Sequence, residues 1–342
     1  MPIVGHWANL AEAQKLVQSK LLAGVVQEVI EEGQLLPMLP VFAINSKSIL
    51  YNRETTPPSA AFYDIHEQIP WTADVTEDQK EAILKRIARQ DILDRFMMDT
   101  YKDPNDYRTI VLSQLRKGCM RTVEDKFIYG DVDNDAAEFD GIGHLFETDA
   151  ADGDDWGATS GHDPQIFDQG DLGLAVSTLR DCIDRVKPRP SILLMGRTLR
   201  NLLTAAAYEK GLATTMPGSV ITMQKDQFGT RLDYFDGVRI VISDYMVDED
   251  NNTGDKASSA SAIQSVFAIR FGQIMDGGLC LCIGGRTGGP EFFNMVELDE
   301  LEDYDASGIR LTAYCCLALG GSKSIARITS IDTATAVLST PA

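Results

Sequence analysis

Histidine is scarce in this chain. The four are His6, His66, His144 and His162, and none stands in the His-Glu-x-x-His or paired arrangement that holds a catalytic zinc. The glycine-rich run Gly284-Gly285-Arg286-Thr287-Gly288-Gly289-Pro290 lacks the Gly-Lys-Ser/Thr ending of a phosphate-binding loop, and no helical pattern follows it, so it reads as a turn. No Gly-x-Ser-x-Gly elbow occurs, and carboxylates are too abundant to single out a catalytic dyad. The cysteines, Cys119, Cys182, Cys280, Cys282, Cys315 and Cys316, do not form the two Cys-x-x-Cys halves of a structural zinc site. Neither a metal nor a cofactor is expected. No run of about 18 apolar residues appears, and Met1-Pro2-Ile3-Val4-Gly5-His6 lacks the basic-then-apolar layout of a secretory signal, so the expectation is a soluble product without a membrane segment.

Positive charge is also short. The formal net charge is −20, and no lysine or arginine lies between Lys126 and Arg180. Such a balance repels a phosphate backbone and speaks against sequence-reading DNA binding, while it suits a wall that must not stick to a polyanion. Asp131-Val132-Asp133-Asn134-Asp135 imitates the start of a calcium loop, but the sixth position is Ala136 and the twelfth Ile142, which rules out an EF-hand. An exposed acidic loop is the expectation here, with adventitious divalent-ion binding as the alternative.

What is present is a mixed set of helix and strand patterns. Residues 7–32 carry apolar positions at helical spacing, and Leu36-Pro37-Met38-Leu39-Pro40 ends that segment. From Val41 to Trp71 short apolar stretches alternate with polar ones around Thr55-Thr56-Pro57-Pro58-Ser59, the pattern of a long hairpin with little core of its own. Thr76-Glu77-Asp78-Gln79 resembles a capping box, and Ile83, Leu84, Ile87, Ile92, Leu93, Phe96 and Met97 suggest a helix to about Thr100. After Asp103-Pro104, the residues Tyr107, Val111, Leu115, Cys119, Val123 and Phe127 recur at every fourth position, predicting a helix about 39 Å long that Gly130 stops. Helices over Leu172–Val186 and Thr198–Lys210 flank a strand at Ser191–Met195, and strands follow at Val238–Ile242, Ser265–Phe271, Leu279–Ile283, Ile309–Leu317 and Ile325–Ile328. On a strand, Cys280 and Cys282 share a face and read as buried free thiols. The class is α+β.

This order of elements resembles the Hong Kong ninety-seven-like capsid fold of tailed-virus major capsid proteins, over nearly the whole chain. Its carriers are Leu36–Pro40 leading to Tyr51-Asn52-Arg53-Glu54, then Glu124–Asp131, Phe139-Asp140-Gly141-Ile142, Phe235-Asp236-Gly237-Val238 and Ile269-Arg270-Phe271-Gly272. The resemblance implies an N-terminal arm over 1–40, an extended E-loop over 41–75, a peripheral domain with its spine helix over 76–134, an axial domain over 135–265 and return strands over 266–342. It also implies a structural, non-catalytic subunit that forms pentamers and hexamers of an icosahedral shell around double-stranded DNA, located in the virion and assembled in the host cytoplasm. It implies a portal and a decoration protein as partners and, because the scaffolding extension usual in the family is not expected in this sequence, either a separate scaffold protein or unaided assembly.

On this reading the candidate intersubunit contacts are Lys47, Ile49, Tyr51, Arg53, Glu54, Phe62 and Tyr63. Ile49, Tyr51, Phe62 and Tyr63 are the candidate apolar anchors. Some members cross-link a lysine of this hairpin to an asparagine of a neighbour, and Lys47 is the only lysine over 41–75, but no pattern identifies the asparagine. Two alternatives stay open: an encapsulin, whose shell shares the fold, and an α/β enzyme with an unrecognised site.

Overall fold

The computed structural model describes residues 35–56, 60–71, 76–100, 107–145, 165–209, 221–225, 231–250, 256–257, 261–284, 292–299, 301 and 305–338. The helix expected over 7–32, the second half of the acidic loop and the turn at 285–290 lie outside these residues. In chain order the elements are strands β1 (Val41–Ile44), β2 (Ser48–Thr56), β3 (Thr76–Ile83) and β4 (Lys85–Asp94), then helices α1 (Arg95–Thr100) and α2 (Tyr107–Tyr129). Next come β5 (Ile166–Leu172), α3 (Val176–Arg185), β6 (Ile192–Met195), α4 (Arg197–Glu209), β7 (Ile221–Lys225), β8 (Arg231–Phe235) and β9 (Val238–Ile242). The last strands are β10 (Ile263–Ile269), β11 (Leu279–Gly284), β12 (Asn294–Leu298), β13 (Ala306–Leu319) and β14 (Ile325–Asp332).

Three sheets result. A seven-stranded sheet runs β5-β14-β10-β6-β9-β8-β7, a five-stranded sheet runs β1-β11-β13-β12 with β4 also on β13, and β2 pairs with β3 alone. The strand β6, in the middle of the large sheet, is apolar and buried throughout because both faces of the sheet are covered there. On β6, Leu193 and Met195 join a core built with Leu179, Cys182 and Ile183 of α3 and Leu199, Leu203 and Ala207 of α4. Ile192 and Leu194 point the other way, into a core shared with Val123, Phe127 and Ile128 of α2 and with β11 and β13. The period of two thus sends alternate residues of one strand into two cores.

The every-fourth-residue stripe of α2 is the spine of the smaller layer. Val111, Leu115, Cys119, Val123 and Phe127 are all buried, and the helix spans about 34 Å. Two glycines then let the chain fold back tightly. A Cβ on Gly130 would sit 2.2 Å from the Phe139 carbonyl oxygen, and one on Gly141 would sit 2.7 Å from the Gly130 nitrogen. That approach lets Ile142 N–H donate to the Phe127 carbonyl at 2.8 Å, one of the carbonyls a helix end leaves open. At the other turn singled out by sequence, Asp236 and Gly237 have φ of 48° and 79°, the left-handed pair of a two-residue hairpin between β8 and β9.

The helix expected over 76–100 is not formed except for its last turn and a half, α1. Residues Thr76–Ile83 pair with β2 from Ser48↔Ile83 to Thr56↔Thr76, with one register shift between Glu54 and Thr56, and β4 pairs with β13 at ten consecutive positions. The ladder overrides the local capping pattern. The alternation of β4 was hidden because Arg89 and Asp91 stand between Ile87 and Leu93 on the same side of the strand. The Arg89 guanidinium reaches α2 beside Gly118, 3.8 Å from the Cβ position there, an ordinary contact distance.

Candidate assembly surface

The hairpin is longer than its sequence limits suggested, since its return strand is β3, beyond residue 75. Its base is closed by Leu84 N–H donating to the Lys47 carbonyl at 2.9 Å. Along β2 the side chains alternate. Ile49 and Tyr51 face the body and pack with Ala82 of β3 on the main core, while Leu50, Asn52 and Glu54 face solvent.

Two of the expected contact residues are committed within the chain. The Tyr51 hydroxyl donates to the Leu319 carbonyl at 2.8 Å. The Arg53 guanidinium donates to the same carbonyl at 2.9 Å and to the Gly320 carbonyl at 3.2 Å. The receiving turn needs glycine at 320, where a Cβ would stand 2.1 Å from the Ile274 carbonyl oxygen. Ile49, Tyr51 and Arg53 therefore dock the base of the hairpin onto its own subunit. Lys47, Glu54, Phe62 and Tyr63 are exposed. The longer hairpin also adds a second lysine, Lys80, opposite Tyr51 in the ladder.

Beyond the ladder, residues 60–71 carry apolar side chains that stand exposed among the described residues. Phe62 and Trp71 are fully exposed at 106% and 103%, and Ile65 and Ile69 at 84% and 65%. The segment is locally held: Asp64 N–H donates to the Glu67 carboxylate at 2.9 Å, Glu67 N–H to the Asp64 carbonyl at 3.1 Å, and His66 adopts a φ of 75°. Ile65, Ile69 and Trp71 were not among the residues picked from sequence. Their signal was apolar side chains in a proline-flanked stretch with no periodicity to bury them.

The layer behind the hairpin is fastened by a buried polar cluster that sequence did not reveal. Arg327 of β14 pairs with Glu249 at 3.0 Å, the two side chains 5% and 1% exposed. Ser265 of β10 also hydrogen-bonds Glu249, and the Tyr129 hydroxyl at the end of α2 lies 3.1 Å from the same carboxylate. Burial pushes the Glu249 carboxyl above its ordinary range, with Arg327 opposing, and burial likewise raises the Tyr129 hydroxyl. The cluster joins the spine helix to the large sheet.

The cysteines are buried. Cys280 and Cys282 share a face of β11, with sulfurs 4.0 Å apart, and burial pushes the Cys182 and Cys315 thiols up to about 12, far from the reactive thiolate range. In the described part of the acidic loop the carboxylates cap turns. Asp131 accepts from Asp133 N–H at 2.8 Å, Asp135 from Ala137 N–H at 2.9 Å and Asp140 from Val132 N–H at 3.0 Å. His144 is buried, and His6 and His162 lie outside the described residues. Among the described residues no group of three or more His, Cys, Asp or Glu could hold a metal, and no helix is long and apolar enough to cross a membrane.

Against solved structures, the chain aligns with the encapsulin of the holo-SrpI complex from Synechococcus elongatus PCC 7942 over 96% of its length and 97% of that chain, with a TM-score of 0.67. This is the Hong Kong ninety-seven shell fold. Identity to that encapsulin is 13%. The same fold recurs in the capsid of a native GTA particle, at a TM-score of 0.60 and 15% identity over 95% of this chain and 98% of that one. It is seen again in the capsid of cyanophage P-SCSP1u, at 0.55 and 11% over 92% of both chains. No protein-family model and no curated protein matches the sequence. The hairpin with its exposed apolar end is thus part of a Hong Kong ninety-seven fold that extends along nearly the whole chain.

Proposed function

We propose that this chain is the major capsid protein of a tailed virus, a non-enzymatic subunit that closes pentamers and hexamers into an icosahedral shell around double-stranded DNA. The observation that carries the proposal is the asymmetry of the hairpin: its base is bound to its own subunit through Ile49, Tyr51 and Arg53, while Phe62, Ile65, Ile69 and Trp71 project uncovered. Exposed aromatic and branched side chains of this kind are covered by association. A second copy is the natural cover in a shell, where each subunit is surrounded by further copies of itself.

The expected domain division stands as part of this proposal with one shift, the E-loop taking in the return strand to Ile83. Lys47, Glu54, Phe62 and Tyr63 are the original candidates left for contact with a neighbour. A scaffold, a portal and a decoration protein complete the proposed partners, with the virion capsid as the location and the host cytoplasm as the place of assembly. The net charge of −20 fits a container that encloses DNA without gripping it.

The encapsulin reading is retained because the SrpI shell gives the higher TM-score, 0.67 against 0.55 for the cyanophage capsid. Contents separate the two. Particles purified from infected cells should hold nuclease-protected DNA; a co-purifying enzyme inside DNA-free particles would instead establish the compartment.

A further inference from the structure

Strand β1 is an open edge of the five-stranded sheet. It pairs with β11 and with no other strand among the described residues. The Leu281 N–H donates to the Pro40 carbonyl at 2.9 Å, and the parallel register sets Phe42 opposite Cys282, so the backbone groups of Phe42 are directed at β11. Successive residues of a strand direct their N–H and C=O to opposite sides, which leaves those of Val41 and Ala43 pointing away from the sheet. Proteins commonly blunt such an edge with charged side chains or a bulge. Here Val41, Phe42 and Ala43 are all exposed and uncharged, the first two at 55% and 37%. A second strip of the same chain has the same deficit. The backbone of residues 60–63 makes no hydrogen bond among the described residues, and Ala60, Ala61, Phe62 and Tyr63 are all exposed.

The two strips do not meet within one chain. The β2–β3 ladder carries residues 60–63 past Thr56, itself about 27 Å from Ser48 at about 3.4 Å per residue, while Tyr51 and Arg53 hold the base of the hairpin on its own subunit. A second copy offers both strips again, in the arrangement that a head-to-tail contact joins. We propose that residues 60–63 of one subunit add as a strand to the open edge of β1 in a second copy. Their backbone then pairs with the N–H and C=O groups of Val41 and Ala43, the main-chain bonding of strand addition. Phe62 and Tyr63, on opposite faces of the added strand, come to lie beside Val41 and Phe42, which also face opposite ways. The contact presupposes that the chain assembles, and it assigns the neighbour's surface that receives the hairpin end.

The test is chemical cross-linking of the assembled full chain. All six native cysteines are buried, so an introduced exposed pair reports alone. Ala43→Cys with Ala61→Cys, both at exposed small side chains, is treated with a short bismaleimide after assembly and run on a gel under denaturing conditions. A ladder of covalent multimers is expected, because each chain carries both halves of a head-to-tail contact. Ala61→Cys with Ala205→Cys, on the exposed face of α4, should give no ladder. Ala43→Pro removes the outward N–H and spares the pairing with β11, so it should leave the melt unchanged while weakening assembly roughly tenfold. Shells that form without the ladder from positions 43 and 61, equal ladders from both pairs, or parental assembly by Ala43→Pro would overturn the contact and leave the assembly reading standing. A parent chain that never assembles would remove both.

Discussion

Replacing Phe62 and Trp71 together by serine separates assembly from folding. Both side chains are fully exposed within the subunit, so their loss removes no intrachain packing, and the fold should change by no more than about 0.5 kcal/mol. At a neighbour, each buried aromatic or large aliphatic side chain contributes about 1.5–3 kcal/mol, so the pair accounts for about 3–6 kcal/mol per contact. At about 1.4 kcal/mol for each factor of ten, subunit association should weaken by roughly two to four orders of magnitude. The assay is size-exclusion chromatography with light scattering across a concentration series, beside a thermal melt of the same samples. The expected result is a folded variant, melting as the parent does, that stays dissociated at concentrations where the parent assembles. Parental assembly by the variant would refute the reasoning, because the exposed end would then be making no energetic contact. Loss of the melting transition would refute it in another way, by showing that the two side chains belong to the subunit's own core.

Tyr51→Phe and Arg53→Gln should act on the subunit itself, each removing hydrogen bonds worth about 0.5–1.5 kcal/mol and speeding amide hydrogen exchange along β2 and β3; unchanged exchange there would mean the base is held by packing alone. Arg327→Met should destabilise by about 3–5 kcal/mol in chemical denaturation because it strands the Glu249 carboxylate, and adding Glu249→Gln should recover much of that loss; additive costs would contradict a coupled pair. Burial lets the folded chain hold the Glu249 proton to a higher pH than the unfolded chain, so this group's contribution is greatest below the ordinary carboxylate value and declines as pH rises through the raised folded one. Glu249→Gln should remove that decline from the stability profile, and an unaltered profile would rule the group out. Gly320→Ala should loosen the docking turn, since its Cβ would meet backbone rather than a movable side chain, and the melting temperature should fall.

Sequence carried the spine helix well because its stripe is uninterrupted, and every stripe residue from Val111 to Phe127 is buried. The strands β6, β10, β11 and β13 were legible for the same kind of reason, as apolar runs long enough to cross a covered sheet. The segment 76–94 was not, because its local pattern satisfies a helix while the bonds that decide its conformation come from β2 and β13, distant in the chain. Strand β12 escaped notice because it lies at an edge with no buried residue, and β5 because its end bends through Gly170 and Asp171 at positive φ. Among the candidate contacts, the sequence marked the hairpin but could not divide it into docked base and exposed end. That division is set by the carbonyls of Leu319 and Gly320, which meet Tyr51 and Arg53 only after the whole chain has folded.

Electron microscopy of the purified, DNA-free chain, alone and with a co-expressed scaffold protein, tests the central claim most directly. The account predicts closed shells or rings of five and six subunits. A folded chain that remains monomeric in both preparations would contradict it.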